Sequence, residues 1–409
     1  MSSLPPLTPE QLVKPPHFEA RMSFAFGALF LAPGVHVPYF PVWLAAHGFS
    51  PNDIAIILSA PMFLRVFTTP LITTLADRSG DRANVLTFLV AASAFLSLGY
   101  FLPVSYAMAL IVSLLLAIFW TPHSPIADSV ALSGVRRWGC SYTKMRIWGS
   151  ISYLTGSLVG GLVLSFTGID IVPILITGGL ALLLAASLLV PRVGPPRRAS
   201  QPALDALGKA DRFDKRFLYM VIGAGLIAGS HSFINSFMSI YWQSVGYSDP
   251  MIGFFWSFSV AVEVLMFWAF PRFLGRLSAT DILLTAALFS VLRWIAYPMV
   301  EPLGLAAPGF FAVQGLHAFS TGLMIIGVQK VIAGEVPEAR TGAAQGLAYF
   351  ANGLSIAAIT LASGPLYSAL GIYGTIPMIG VAAIATGSIL LARHQPQRSA
   401  VGGETSEPA

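Results

Sequence analysis

Six ionisable side chains stand within or at the edges of long apolar runs: Arg65, Asp128, Arg146, Glu263, Arg293 and His317. Arginine is a fixed cation whose planar fork fits a carboxylate or vicinal hydroxyls, whereas a carboxylate and an imidazole can gain and lose protons. Together these types suit the binding of a polar solute and the exchange of protons with it. Counting Arg65, Arg146 and Arg293 against Asp128 and Glu263 gives three minus two, a net charge of +1 with all five ionised, which favours an anionic ligand. Asp128 and Arg146 are eighteen residues apart, and Tyr153 follows Arg146 by seven. The sequence has no nucleophile elbow, zincin spacing, Cys-x-x-Cys pair or phosphate-binding Gly-rich loop. It therefore carries no enzyme signature and implies neither metal, nor cofactor, nor direct ATP drive.

The elements that position these residues follow from composition. Of 409 residues, 55% are hydrophobic and 10% charged, with a mean hydropathy of +0.74. Soluble domains carry about 25% charged residues, so a soluble protein is excluded. The apolar residues fall into runs of about 20, each long enough to cross a bilayer core of about 30 Å as a helix. Twelve helices are predicted, at about 22–45, 53–75, 85–103, 106–132, 147–167, 171–190, 217–242, 251–270, 281–300, 307–333, 343–363 and 371–392. This is an all-α polytopic membrane protein. An ionisable group near the bilayer centre costs at least about 2.5 to 3.5 kcal/mol, so those retained face a cavity or a partner.

A polar stretch with seven Lys and Arg residues divides the helices six and six: an N-terminal bundle 1–190, a linker 191–216 and a C-terminal bundle 217–409. With both termini cytoplasmic, 21 of the 23 Lys and Arg residues lie at that face and the outer loops carry none. The pI near 9.4 thus reflects topology and not nucleic-acid binding. Cys140 is the single cysteine, which excludes an internal disulfide. The Pro-rich N-terminus lacks a small-residue cleavage site, so the first apolar run reads as a retained helix.

The halves repeat each other at an offset of 198 residues: Gly48, Ser50, Ile54 and Ser59 recur as Gly246, Ser248, Ile252 and Ser257, and Arg65 falls opposite Glu263. Repeated halves are how many secondary transporters build two gates around one midplane site. Pro33, Gly34, Pro38 and Pro41 suggest an interrupted gate helix at the first span. Phe40, Trp43, Tyr241 and Trp242 read as an interfacial belt, and His36, His123 and His231 as packing histidines. Helix 9, with Arg293, is compatible with a position near the headgroups. Asn235, Gln314, Gln345 and Asn352 are further polar candidates.

The loop after helix 2 reads Asp77-Arg78-Ser79-Gly80, with Thr73 ahead and Asp81 behind. This resembles the gate motif of the major facilitator superfamily, with two departures at Thr73 and Asp81. A closer resemblance, covering nearly the whole chain, is to the phenylpropionate permease family and the related lactose permease group. It rests on Tyr39-Phe40-Pro41-Val42-Trp43-Leu44, Lys144-Met145-Arg146-Ile147-Trp148-Gly149-Ser150, Ile240-Tyr241-Trp242-Gln243, Glu263-Val264, Arg293-Trp294 and Gln314-Gly315-Leu316-His317.

What the resemblance implies is the major facilitator fold, two pseudo-symmetric six-helix bundles, acting as a proton-coupled symporter by alternating access. The solute is a small organic molecule, with a phenylpropionate-type aromatic carboxylate favoured. Sugar or nucleoside symport is the alternative, and drug efflux a weaker one. Asp128, Arg146 and Tyr153 match a solute-binding set, joined by Arg65, Glu263 and Gln314. Glu263, Arg293 and His317, with Asp128, match proton-coupling positions, and Asp77, Arg78 and Gly80 a gate. Gln314 and Ser320 stand where lactose permease has a basic and an acidic residue, so coupling cannot copy that route. The expected partners are the solute, protons and the lipid bilayer, without nucleic acid. The expected setting is a bacterial inner membrane, with the protein working as a monomer.

Overall fold

The computed structural model describes residues 12–194, 213–336 and 340–395. Among them eleven stretches are long and apolar enough to span a membrane. The last, Thr341–Arg393, contains two helices, Thr341–Leu370 and Ile376–Arg393, joined by a tight turn at Gly371–Thr375. Its 53 residues would rise about 80 Å as one helix, far more than one crossing needs. Twelve spans result. They are α1 (Phe18–Ala46), α2 (Pro51–Arg78), α3 (Arg82–Ser97), α4 (Tyr106–Trp120 and His123–Trp138), α5 (Tyr142–Thr167) and α6 (Val172–Ser187). The rest are α7 (Lys215–Ser230 and Ser232–Ser244), α8 (Asp249–Phe273), α9 (Ala279–Ala296), α10 (Ala306–His317, a π turn at Ala318–Gly322, then Leu323–Glu335), α11 (Thr341–Leu370) and α12 (Ile376–Arg393). Most of the expected linker 191–216 lies outside the described residues.

The chain forms two compact units, one of 1–200 with 235–257 and one of 201–234 with 258–409. In unit 1, Phe18, Phe26, Leu86, Val90, Ile126, Met145 and Leu183 pack a core between the helices. In unit 2, Phe217, Ile227, Ile282, Leu323, Leu347 and Ile389 do the same. Large apolar side chains such as Phe88, Phe95, Phe166, Trp268 and Phe273 are exposed. A soluble surface would not tolerate that many, and here a bilayer covers them.

The sequence repeat recurs as geometry. Gly48 and Gly246 both adopt left-handed backbone, with φ of 82° and 94°, a conformation that costs glycine little. In the two turns Phe49 N donates to Leu44 O at 3.3 Å and Tyr247 N to Trp242 O at 2.9 Å, while Ile54 N reaches Ser50 O and Ile252 N reaches Ser248 O, each at 3.0 Å. Ser50 also closes a capping box with Asp53, accepting from its N–H and donating its own backbone N–H to the carboxylate.

Several expectations need correction. The first span is one unbroken helix despite Pro33, Pro38 and Pro41. Pro38 lacks the N–H that would bond Gly34 O, and the Ser157 hydroxyl of α5 takes that carbonyl instead, at 2.8 Å. Breaks occur elsewhere, at Thr121–Pro122 in α4 and at His231 in α7. The presumed belt residues Phe40, Trp43 and Trp242 are at most 1% exposed. His36, Phe40, Trp43 and Tyr100 stack on one another, and Trp242 packs on Phe255 and Trp256, so their rings are core. Helix 5 begins at Tyr142, five residues before the predicted start, because Ser141 caps it by accepting from Lys144 N at 3.4 Å. Arg146 is thereby placed on the second turn of a spanning helix.

Within unit 1, segment 235–257 lies against α1 and α5. The Tyr39 hydroxyl donates to Ser157 O at 2.7 Å with Asp249 O 3.3 Å away, and Ser257 donates to Leu154 O at 3.1 Å. Three arginines grip the backbone that leaves α6: Arg21 on Leu189 O at 2.6 Å, Arg82 on Gly194 O at 3.1 Å, and Arg137 on Val193 O. In unit 2 Arg216 ties α7 to Thr280 at 2.9 Å, Ala392 O at 3.0 Å and Glu335 at 2.8 Å.

Candidate functional site

In unit 2 the break in α7, the inner part of α8, the end of α9 and the middle of α10 bring their polar residues into one cluster. Glu263 Oε2 lies 3.3 Å from His317 Nε2, and His317 Nδ1 lies 3.1 Å from a guanidinium nitrogen of Arg293. The other guanidinium arm donates to Gln314 Oε1 at 2.6 Å and approaches the Tyr297 hydroxyl at 3.3 Å. Tyr297 in turn donates to Gln314 Oε1 at 2.7 Å. Arg293 is 2% exposed and packs on the rings of Trp294 and Tyr297, so it belongs to this interior and not to the headgroups.

These contacts fix proton positions. A guanidinium has only donors, so His317 Nδ1 must offer its lone pair, and the ring hydrogen sits on Nε2, aimed at Glu263. The order is cation, neutral imidazole, carboxylate. Such a chain is neutral overall, and it becomes +1 when Glu263 takes a proton.

The polar residues of unit 1 are arranged differently. Asp128 Oδ1 accepts from the Tyr142 hydroxyl at 2.9 Å and Oδ2 from Ser124 at 3.4 Å. Arg146 lies with its guanidinium carbon 4.1 Å from the centre of the Phe30 ring and 5.7 Å from that of Phe26. Among the described residues no ion pair within 4.0 Å joins Asp128 to Arg146, but the two charges act on each other and the Tyr142 hydroxyl is hydrogen-bonded to both. Gly149, one turn on, leaves the room: a Cβ there would sit 2.7 Å from Arg146 Nη1 and 2.7 Å from Phe30 Cδ2. Tyr153 stands half-buried two turns beyond Arg146 on the same helix.

Arg65 is half-buried on α2, about 120° around the helix from the centre of the exposed stripe Phe67, Leu71 and Leu75. Of the gate residues, Asp77 is buried, Arg78 is exposed as the last residue of α2, and Gly80 has φ of 82°. Asp81 caps α3 and pairs with Arg192 at 3.6 Å. Among the further amides, Asn235 and Gln345 are exposed and Asn352 is half-buried.

Sequence reasoning missed Tyr142, Phe30, Tyr297 and Arg82. The last is 1% exposed and bonds Ser129 and Ser133 of α4, each at 2.9 Å. It also set His231 aside. A usable signal existed for Tyr297, which follows Arg293 by four residues and so shares its helix face.

Comparison with known proteins follows this geometry. Residues 20–375 match the family described as MFS_1 like family. A probable 3-phenylpropionic acid transporter of Escherichia coli K12 is 27% identical over 353 residues, 86% of this chain and 91% of that protein. A maltose permease of Geobacillus stearothermophilus is 28% identical over 296 residues, 70% and 71% of the two chains. Among solved structures, the nucleoside transporter NupG superposes with a TM-score of 0.78 at 16% identity, covering 93% of this chain and all of that one. That likeness establishes the shared fold.

Proposed function

The chain belongs to the MFS_1 like family and is a multi-pass secondary transporter of the major facilitator superfamily, and from that we propose that it imports a small organic anion together with protons by alternating access. An aromatic carboxylate of the phenylpropionate type is the favoured solute. The observation that carries this reading is Arg146: a cation within a spanning helix, held on an aromatic face, with Asp128 near enough to act on its charge but not within ion-pair distance among the described residues. Its fork is available to a solute carboxylate, and Phe26 and Phe30 offer rings beside it. The relative whose name includes 3-phenylpropionic acid supports the same class.

In this reading Arg146, Asp128, Tyr153 and Arg65 are the solute-binding residues of unit 1, and Glu263 and Gln314 are those of unit 2. Glu263, His317, Arg293 and Asp128 handle protons, and Asp77, Arg78 and Gly80 belong to a gate. Protonating Asp128 would weaken its hold on Tyr142 and lower the negative charge near Arg146, admitting an anion. The distribution of basic residues supports both termini on the cytoplasmic side, and in this reading the protein works as a monomer in a bacterial inner membrane.

The similarity to a maltose permease favours a second reading, in which Asp128 and Arg146 bind sugar hydroxyls directly. Asp128→Asn separates the two. Binding of 3-phenylpropionate that persists and loses its pH dependence supports the anion. Loss of maltose binding in the variant, with wild type binding maltose and ignoring 3-phenylpropionate, supports the sugar. Normal affinity and normal pH dependence in both Asp128→Asn and Arg146→Lys would sink either role for the pair.

A further inference from the structure

His231 lies at the break in α7, 5% exposed. Its backbone N–H turns to Ala228 O at 3.2 Å, which frees Ile227 O from the usual helical partner. The ring and the Ser230 hydroxyl share that carbonyl, Nδ1 at 2.8 Å and Oγ at 2.7 Å from Ile227 O. A carbonyl only accepts, so Nδ1 carries the hydrogen and Nε2 presents a lone pair. Opposite Nε2, at 2.9 Å, is the hydroxyl of Ser320, which lies in the π turn of α10. That hydroxyl has a second acceptor within reach, His317 O at 3.2 Å.

We infer that His231 is a second proton-binding group of unit 2, with Ser320 as the hydroxyl that reorients to accommodate the proton. In the neutral state the Ser320 O–H donates to Nε2. A proton delivered by hydronium bonds to the Nε2 lone pair and leaves water behind. The new Nε2–H donates to Ser320 Oγ, and the Ser320 O–H swings to His317 O. No hydrogen bond is lost, one is gained, and the ring takes a charge of +1. Burial disfavours a charge on the ring, and hydrogen bonds that stay made in both protonation states offset part of that cost.

His317 lacks this property here. Arg293 and the Thr321 hydroxyl both face its Nδ1, at 3.1 and 3.3 Å. A proton arriving at Nδ1 would confront the guanidinium, so it could bind only after Arg293 moved. The groups that act on His231 are Arg293 from α9 and His317 from α10, whose ring centre is 6.0 Å away, while Glu263 of α8 acts through His317. α11 and α12 also pack on α7 and bring it no such group among the described residues. Because Arg293 opposes the proton, an anion drawn to Arg293 would favour it. By reciprocity the proton would then favour the anion.

This inference rests on the proton-coupled reading above, and a direct titration separates the two. The full chain, labelled with ¹⁵N-histidine and held in lipid nanodiscs, is followed by NMR from about pH 9 to pH 5, the range in which an imidazole switches. His231→Gln assigns the resonance. The expected result is a His231 signal passing from the Nδ1–H tautomer to imidazolium while His317 keeps its Nε2–H tautomer. Ser320→Ala should lower the proton affinity of His231 about tenfold, the worth of a charged hydrogen bond, and Ser320→Thr should restore it. A His231 that stays neutral throughout, or a midpoint unmoved in Ser320→Ala, overturns the inference. In proteoliposomes with an inward proton gradient, His231→Gln should lose accumulation of 3-phenylpropionate and keep exchange. Wild-type vesicles that ignore 3-phenylpropionate would refute the solute reading alone, since the titration still decides His231.

Discussion

The charged residues of unit 2 meet one another directly, whereas Asp128 and Arg146 of unit 1 meet through the Tyr142 hydroxyl. Arg293, His317, Glu263, Gln314 and Tyr297 form a continuous set of hydrogen bonds that leaves, of the guanidinium nitrogens, only Arg293 Nε without a partner among the described residues. Asp128 and Arg146 belong to neighbouring helices of unit 1, yet the carboxylate bonds a phenol and the guanidinium rests on a ring. A closed network resists change until a proton or a competing charge breaks it. A separated pair costs more to bury and is ready for a ligand. The two bundles share one repeated pattern, but only unit 2 joins its embedded ionisable residues to one another directly.

The strongest test of that contrast is Glu263→Gln, which removes the one carboxylate of the closed set. Uphill accumulation should vanish while downhill exchange survives, and proton-coupled accumulation at wild-type level would break the comparison. Next in size is Arg146→Lys. The charge remains and the fork is lost, so solute affinity in a binding assay should fall by about 1.5 to 3 kcal/mol, on the scale of a charged hydrogen bond. An affinity within error of wild type would mean that the separated pair is not where solute binds.

Gly149→Ala sharpens the contrast by closing the pair. The added methyl would collide with Arg146 Nη1 and Phe30, driving the guanidinium off its ring. The fork would then turn to Asp128, and affinity should drop by roughly twofold to fivefold, matching ~0.5–1 kcal/mol for an accessible cation–π contact. Phe30→Leu should act in the same direction. The smallest effect belongs to Tyr297→Phe. Gln314 still holds Arg293 at 2.6 Å, so the variant should lose about 1 kcal/mol of stability, read as a lower melting temperature, and keep its transport rate.

The spans were legible because run length and bilayer thickness admit little freedom, and the turn at Gly48 was legible because its twin at Gly246 repeats it. Glu263 and His317 were legible too, since an ionisable group in an apolar helix demands a partner. Partner identity was less so. When a helix is apolar on most sides, periodicity does not say how it is rotated, and rotation decides that Asp128 meets Tyr142 and that Arg146 meets Phe30. His231 escaped notice for a related reason. Its significance comes from a helix break and from a serine 89 positions away, neither of which its own neighbours in sequence announce. Arg293 was displaced toward the headgroups in the sequence reading because helix 9 is peripheral in that reading, and the rotation that turns Arg293 inward is not written in its neighbours.

The π turn of α10 has a bearing on length variation. A π turn contains one residue more than the α turn it replaces, and Ala318–Gly322 separates two stretches of α10 that are anchored independently. Ahead of it are Gln314 and His317, fixed by Arg293. Beyond it is Lys330, whose ammonium donates to Gly275 O at 3.0 Å and Leu277 O at 2.7 Å. Removing one of the five residues would let the other four close an ordinary α turn of about 400°, close to the angle the π turn already sweeps, so the two ends of α10 would keep their phase. A deletion in a plain α stretch between His317 and Lys330 would instead rotate one end by about 100° against the other, turning Lys330 from its carbonyls or His317 from Glu263. The extra residue therefore makes this turn the place in α10 where a single-residue deletion should be tolerated best.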